Sequence, residues 1–286
     1  MNTSLTHLSS LQRGQLETVK KIIIRAVRPE KIILFGPYST AAEATIFTEK
    51  LPPVIGAYDL LVVTREADLR SDYEMQDIIE NRCRDEVPVT VLVHDIVYIN
   101  KRLEEGHYFF STILREAILL FDRGGTSLAE AGPSDLVQVR IRAERDFERW
   151  RRQAWAFFRS AEFNIGREEW KIAIFLLHQA AEHMYQAILL AFTGYKPTTH
   201  NLDKLRRYTN RFSIELALLF PRNSEEEDRI FRQLLSGYVD ARYKEDFSVT
   251  GAEAALLTER VGRLLEIAER VCRNRLLSLE KKVASL

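Results

Sequence analysis

Lys31–Gly36 reads KIILFG: a lysine, four apolar residues, then a glycine followed by Pro37. That composition predicts a short buried strand stopped at Gly36. It decides the fold because two runs of the same kind follow, Tyr58–Thr64 (YDLLVVT) and Val87–His94 (VPVTVLVH). Before it, residues 8–27 carry Leu11, Leu16, Val19, Ile23 and Ala26 at helical spacing and stop at Pro29. Ser71–Glu86, Asp95–Leu103 and Tyr108–Leu114 predict further helices, and Ala117–Asp122 a fourth strand. Strands alternating with helices in this way predict an α/β unit.

The pattern changes between Gly124-Gly125 and Ala131-Gly132-Pro133-Ser134. Small and turn-forming residues crowd this segment, which is therefore the expected boundary between domains at 1–132 and 133–286. Beyond it every periodic stretch is helical: Asp135–Ile165, Glu168–Thr193, Asn201–Arg211 with a continuation to Phe220, Glu225–Lys244, and Ala252–Leu279. Gly194 and Pro197 close the second of these. Ser224 precedes the acidic first turn Glu225-Glu226-Glu227, and Gly251 is read as separating the last two. The expected fold class is an α/β domain followed by an all-α, antiparallel bundle of about five helices.

Composition excludes several classes. Of 286 residues, 46% are hydrophobic and 29% charged, with only 12 Gly and 8 Pro, so the chain is globular and long enough for two cores. No apolar run approaches the roughly 18–20 residues of a membrane helix. The polar N-terminus has no signal-peptide core, and a cytoplasmic location is expected. Cys83 and Cys272 have no Cys or His at metal-ligand spacing and read as reduced structural residues. The net charge of zero splits into 15 basic against 19 acidic residues in 1–132, and 26 against 22 in 133–286. That asymmetry does not by itself argue for nucleic acid.

Strand, glycine, helix, then strand with an acid resembles the polymerase-β-like minimal nucleotidyltransferase fold. In that family a Gly-Ser after the first strand cradles the triphosphate, and three carboxylates on two later strands hold two divalent cations. The acids are needed because the metals neutralise charge developing on both the attacking and the leaving oxygen. Here Leu34-Phe35-Gly36 matches the first element with Pro37 in place of Ser, and Gly56-Ala57-Tyr58-Asp59-Leu60 matches the second. Asp59 is present, Ala57 replaces its partner, and Thr90 falls where the last acid is expected. One carboxylate is a poor two-metal clamp, and Pro37 removes a backbone N–H from the phosphate loop. The resemblance implies nucleotide contact at Gly36 and Asp59 and no catalytic or metal-ligand set. Mg²⁺ is expected only if the site is active, with Glu43 or Glu49 supplying displaced ligands.

Residues 140–279 carry three elements in order: Phe175-Leu176-Leu177-His178-Gln179-Ala180-Ala181-Glu182-His183, then Pro197-Thr198-Thr199-His200-Asn201-Leu202, then Tyr238-Val239-Asp240-Ala241-Arg242-Tyr243. Together they resemble HEPN domains, helical bundles often joined to minimal nucleotidyltransferases. Ribonuclease members carry Arg-x(4–6)-His, the Arg holding phosphate and the His acting in acid–base chemistry. Arg242 is followed by Phe247, Ser248 and Val249 at the three permitted positions, so the His is missing. The one Arg-x₄-His, Arg102 to His107, lies in the other domain and is read as chance. His178, Glu182 and His183 fit no zinc motif and read as part of a helix–helix seam. Arg142, Arg145, Arg149, Arg152 and Arg159 fall on one arc of the first long helix, opposite Phe147, Trp150, Ala154, Phe157, Phe158, Ala161 and Ile165. The arginines are read as a solvated face and the apolar residues as core.

The reading is a non-catalytic, nucleotide- or RNA-binding regulator built from a decayed nucleotidyltransferase domain and a HEPN domain. Arg242, with Tyr243 and Lys244 beside it, is the expected phosphate or RNA contact. The rival structural reading pairs Arg242 with Asp240 or Glu245. The resemblance also implies a homodimer through the bundle. Two alternatives stay open: an active nucleotidyltransferase with displaced ligands, and a HEPN-type ribonuclease or toxin component with a displaced dyad.

Overall fold

Ser9 accepts a hydrogen bond from the Gln12 backbone N–H while the Gln12 side chain reaches back to Ser9 N–H, a reciprocal cap that starts helix α1 (Ser10–Val27). Leu16, Val19, Ile23 and Val27 form its buried stripe, and Arg28 ends it in the left-handed region at φ 49°. The computed structural model describes residues 1–36, 58–65 and 69–285. Pro37, Glu43, Glu49, Gly56 and Ala57 lie outside them. The chain divides into two units, Met1–Asp135 and Leu136–Leu286.

In the first unit β1 (Lys31–Leu34), β2 (Tyr58–Thr64), β3 (Val89–Asp95) and β4 (Ile118–Asp122) form one mixed sheet in the order β3-β2-β1-β4. β1 runs antiparallel to β2 and β4, and β2 runs parallel to β3. Every residue of β1 and β2 is buried, as expected for strands covered on both faces. Ile32, Leu34, Leu60, Val62, Val91 and Val93 pack with α1 and with Met75, Ile79 and Cys83 of α2 (Asp72–Cys83). Helices α3 (Ile96–Glu104) and α4 (Tyr108–Glu116) complete the unit.

The second unit is helical throughout: α5 (Leu136–Ile165), α6 (Trp170–Thr193), α7 (Leu202–Asn210), α8 (Ile214–Leu218), α9 (Glu225–Ser236), α10 (Asp240–Tyr243) and α11 (Gly251–Ala284). From Ala180 to Thr193, α6 is buried at every position but His183. A helix apolar on all sides belongs at the centre of a bundle. Phe147, Ala154, Phe158 and Ala161 are buried on α5 and Arg142, Arg145, Arg149, Arg152 and Arg159 are exposed, as the periodicity predicts, but Trp150, Phe157 and Ile165, expected in the core, are half-buried.

Two boundaries are corrected. The helix expected over Glu225–Lys244 breaks after Ser236, and at Gly237 the chain comes against α6: a Cβ there would lie 2.8 Å from Ile174 Cγ2 and 3.0 Å from Ile174 O. Gly251 does not separate the last helices but is the first residue of α11. Thr250 is the N-cap, and a reciprocal bond pair with Glu253 fixes the start.

Candidate functional site

Two groups of residues singled out by the sequence can be built up from the structure. At the end of β1 the Phe35 N–H donates to the Asp59 carbonyl at 3.0 Å, so the exit of β1 is tied to the entry of β2. A Cβ on Gly36 would lie 2.8 Å from Asp59 Cβ and closer still to its carboxylate. The glycine is therefore required for space, because the buried Asp59 side chain fills the volume a Cβ would take. Across the parallel pair, Asp59 and Thr90 are Cα partners. Neighbouring positions in register present side chains to the same face, so the hydroxyl of Thr90 stands beside the one carboxylate. Among the described residues no group of three or more His, Cys, Asp or Glu is placed to hold a metal ion. A single Asp beside a Thr does not fit a two-metal centre.

In the second unit, α6 places His178, Gln179, Glu182 and His183 on successive turns. Glu182 is 5% exposed. Its carboxylate accepts from His200 Nδ1 at 2.8 Å and from Gln179 Nε2 at 3.2 Å. The Pro197–Leu202 turn thus delivers His200 to a carboxylate on α6, while the His200 side chain stays 66% exposed. His183 turns the other way: its Nδ1 donates to the Gln179 carbonyl at 2.8 Å, and its ring lies 5.0 Å from both Trp150 and Phe157. His183 is a helix-seam residue, but His178 and Glu182 belong to a polar cluster.

Tyr238 is the centre of that cluster. The rings of His178 and His200 each stack on it at 5.3 Å, and the Arg242 guanidinium lies 4.6 Å from its centroid. Arg242 also sits 5.2 Å from the Phe175 ring and 5.0 Å from the Tyr243 ring, and its Nε donates to the Tyr238 carbonyl at 2.6 Å. Cation–ring contacts of this kind hold a guanidinium in place without neutralising it. Asp240, the expected rival partner, pairs with Lys244 at 3.1 Å instead. Lys244 is thus engaged by Asp240. It lines a separate groove of about 690 Å³ with Arg229, Arg232 and Ser248.

His178 is 1% exposed. Burial first, then the charges of His200, Arg242 and His183, push its pKa down to about 3. It is neutral, and the Gln179 amide approaches its Nδ1 at 3.4 Å. Glu182 lies 3.8 Å away, but its oxygens are already occupied by His200 and Gln179. His200 has no role in the sequence reading beyond its motif. The signal that could have found it is its place in the Pro-x-Thr-His turn, combined with an acid on the preceding helix.

Residues 147–274 match the family model described as HEPN domain, and the second unit carries that domain. The chain is also similar to the crystal structure of a nucleotidyltransferase-like protein from Exiguobacterium sibiricum. The two are 11% identical over 96% of this chain and 80% of that one, with a TM-score of 0.28. No curated protein matches the chain. Among the described residues no helix is long and apolar enough to cross a membrane.

Proposed function

We propose that this protein is a non-catalytic regulator whose HEPN domain binds the phosphate of a nucleotide or RNA on the Tyr238–Arg242 face. In this reading the first unit is a nucleotidyltransferase fold that has lost its chemistry. One observation carries the proposal: among the described residues Arg242 has no carboxylate partner, yet three rings and a carbonyl hold it in place. A positioned, unneutralised guanidinium is suited to a planar anion, and a charge-assisted hydrogen bond contributes about 1.5–3 kcal/mol. The test is titration with ATP and with a short single-stranded RNA. Arg242→Ala should weaken whichever binds by roughly tenfold to over a hundredfold, with the fold retained. Equal affinity in the two proteins, or no binding by the parent, removes the proposal.

The Glu182–His200 pair favours a second reading, a ribonuclease with a displaced dyad. A carboxylate on Nδ1 fixes the tautomer and orients the ring, as a general base requires, and Arg242 shares the same tyrosine. Metal-independent RNA cleavage abolished by His200→Ala would establish this reading over simple binding. A homodimer through the bundle is a further part of the proposal, resting on the HEPN resemblance. Light scattering at twice the 33.2 kDa chain mass would support it.

A further inference from the structure

The first unit carries a concentration of positive charge at the sheet end opposite Gly36 and Asp59. β2 and β4 both run antiparallel to β1, so both end where β1 begins, with Val63 and Asp122 in register with Lys31. α1 also ends there. Four chain segments bring five arginines to one groove of about 530 Å³: Arg25 and Arg28 from the end of α1, Arg65 after β2, Arg70 before α2, and Arg123 after β4.

The local arrangement explains why the groove persists. Glu30 is buried, and its carboxylate takes Arg65 Nε at 2.5 Å and Arg123 Nε at 3.5 Å. Arg123 Nε also donates to the Pro29 carbonyl, and Arg70 Nη1 to the Ala26 carbonyl, both at 3.1 Å. These bonds fix three guanidinium groups by one edge each. Arg25 and Arg28 are exposed, and among the described residues neither is paired with a carboxylate. Glu66 and Asp68, between Arg65 and Arg70 in sequence, lie outside the described residues.

A helix C-terminus attracts cations, and that could account for one or two of these arginines. It supplies only about half a negative charge. Arg70 also interacts with the Glu74 carboxylate, but Arg25, Arg28, Arg65 and Arg123 have only Glu30 between them among the described ion pairs, a sum of +4 − 1 = +3, well beyond what the helix end offsets. Holding five cations around one concavity costs repulsion that an anion would relieve.

We infer that this arginine groove is a binding site for a compact polyphosphate group, distinct from the Arg242 face. The cations converge on one concavity rather than following a stripe. That favours the phosphate chain of a small molecule over the extended backbone of a nucleic acid, which presents the same phosphate chemistry.

The test is calorimetric titration of the full chain with inorganic tripolyphosphate and, separately, with a single-stranded oligonucleotide. Three variants are compared: Arg25→Gln/Arg28→Gln, Arg25→Lys/Arg28→Lys and Arg242→Ala. Arg25 and Arg28 are chosen because both are exposed at a helix end, and melting curves confirm that the variants fold. Tripolyphosphate should bind the parent, weaken by about tenfold or more in the Gln pair, recover in part in the Lys pair, and be unaffected by Arg242→Ala. Tighter binding of the oligonucleotide than of tripolyphosphate, with the same response to the Gln pair, would keep the site but reassign its source to nucleic acid. No binding by the parent, equal affinity in the Gln pair, or loss only in Arg242→Ala would overturn the inference. The last result would leave the HEPN proposal standing, so the two can fail separately.

Discussion

Asp59 and Thr90 are Cα partners across the parallel β2–β3 pair, both buried, at 4% and 1% exposure. The resemblance to minimal nucleotidyltransferases places the last of three expected acids at Thr90 on this rung. A hydroxyl there can hydrogen-bond a carboxylate but cannot share its metal load. Incubation with labelled nucleoside triphosphates and Mg²⁺ or Mn²⁺ is accordingly expected to transfer no label to protein or RNA. Turnover abolished by Asp59→Ala would reverse this reading of the unit.

Gly36→Ala should destabilise the first unit by about 1–3 kcal/mol, because the new methyl enters the space of Asp59 and the strand exit must shift. Asp59→Ala in the same chain removes the obstacle. The double variant should therefore lose less than the sum of the single losses. Urea unfolding of the four proteins measures the difference, and strict additivity would argue against direct contact.

His178 predicts an acid sensitivity. Its folded-state pKa lies below the ordinary value of about 6.5, so the unfolded chain binds the proton first and protonation opposes folding. The stability is intact above that value. It is lost progressively as pH falls from about 6.5 towards the folded value of about 3. Between about pH 7 and pH 5 the loss attributable to this one buried ring is about 2 kcal/mol. His178→Leu should flatten that part of the profile relative to the parent. Parallel stability curves for the two proteins would show that some other group titrates.

Gly237→Ala should act on structure and site together. The added Cβ meets both side chain and backbone of Ile174, and the next residue is Tyr238, which carries His178, His200 and Arg242 around its ring. A stability loss of about 1–3 kcal/mol should come with weaker nucleotide or RNA binding than in the parent, measured below the melting transition. Unaltered affinity would place the ligand away from Tyr238.

The two thiols offer a check on burial. Cys83 and Cys272 are free and buried. Burial, then the nearby Glu80 charge, pushes the Cys83 thiol up to about 11. Burial, then Glu269, raises Cys272 as well. Both stay protonated at neutral pH, and the thiolate is the reactive form. A disulfide reagent at about pH 8 should leave the native chain unmodified and label both residues after denaturation.

Much of this was legible in the chain because secondary structure is written locally. The strand runs, most of the stripes of α1 and α5 and the acidic first turn after Ser224 follow from spacings of a few residues. Thr90 could be placed on its strand because strand position survives in sequence order. Gly36 was legible as a glycine but not for its reason, since the space it leaves is filled by Asp59 from another strand. The need for a glycine at 237 depends on how near α6 passes. The Glu182–His200 pair and the meeting of His178, His200 and Arg242 at Tyr238 join segments up to about 60 residues apart, and the arginine groove joins four segments of the first unit. Periodicity determines which face of an element is apolar. Which polar groups then converge is decided by strand register and helix packing, and those interactions have no local trace.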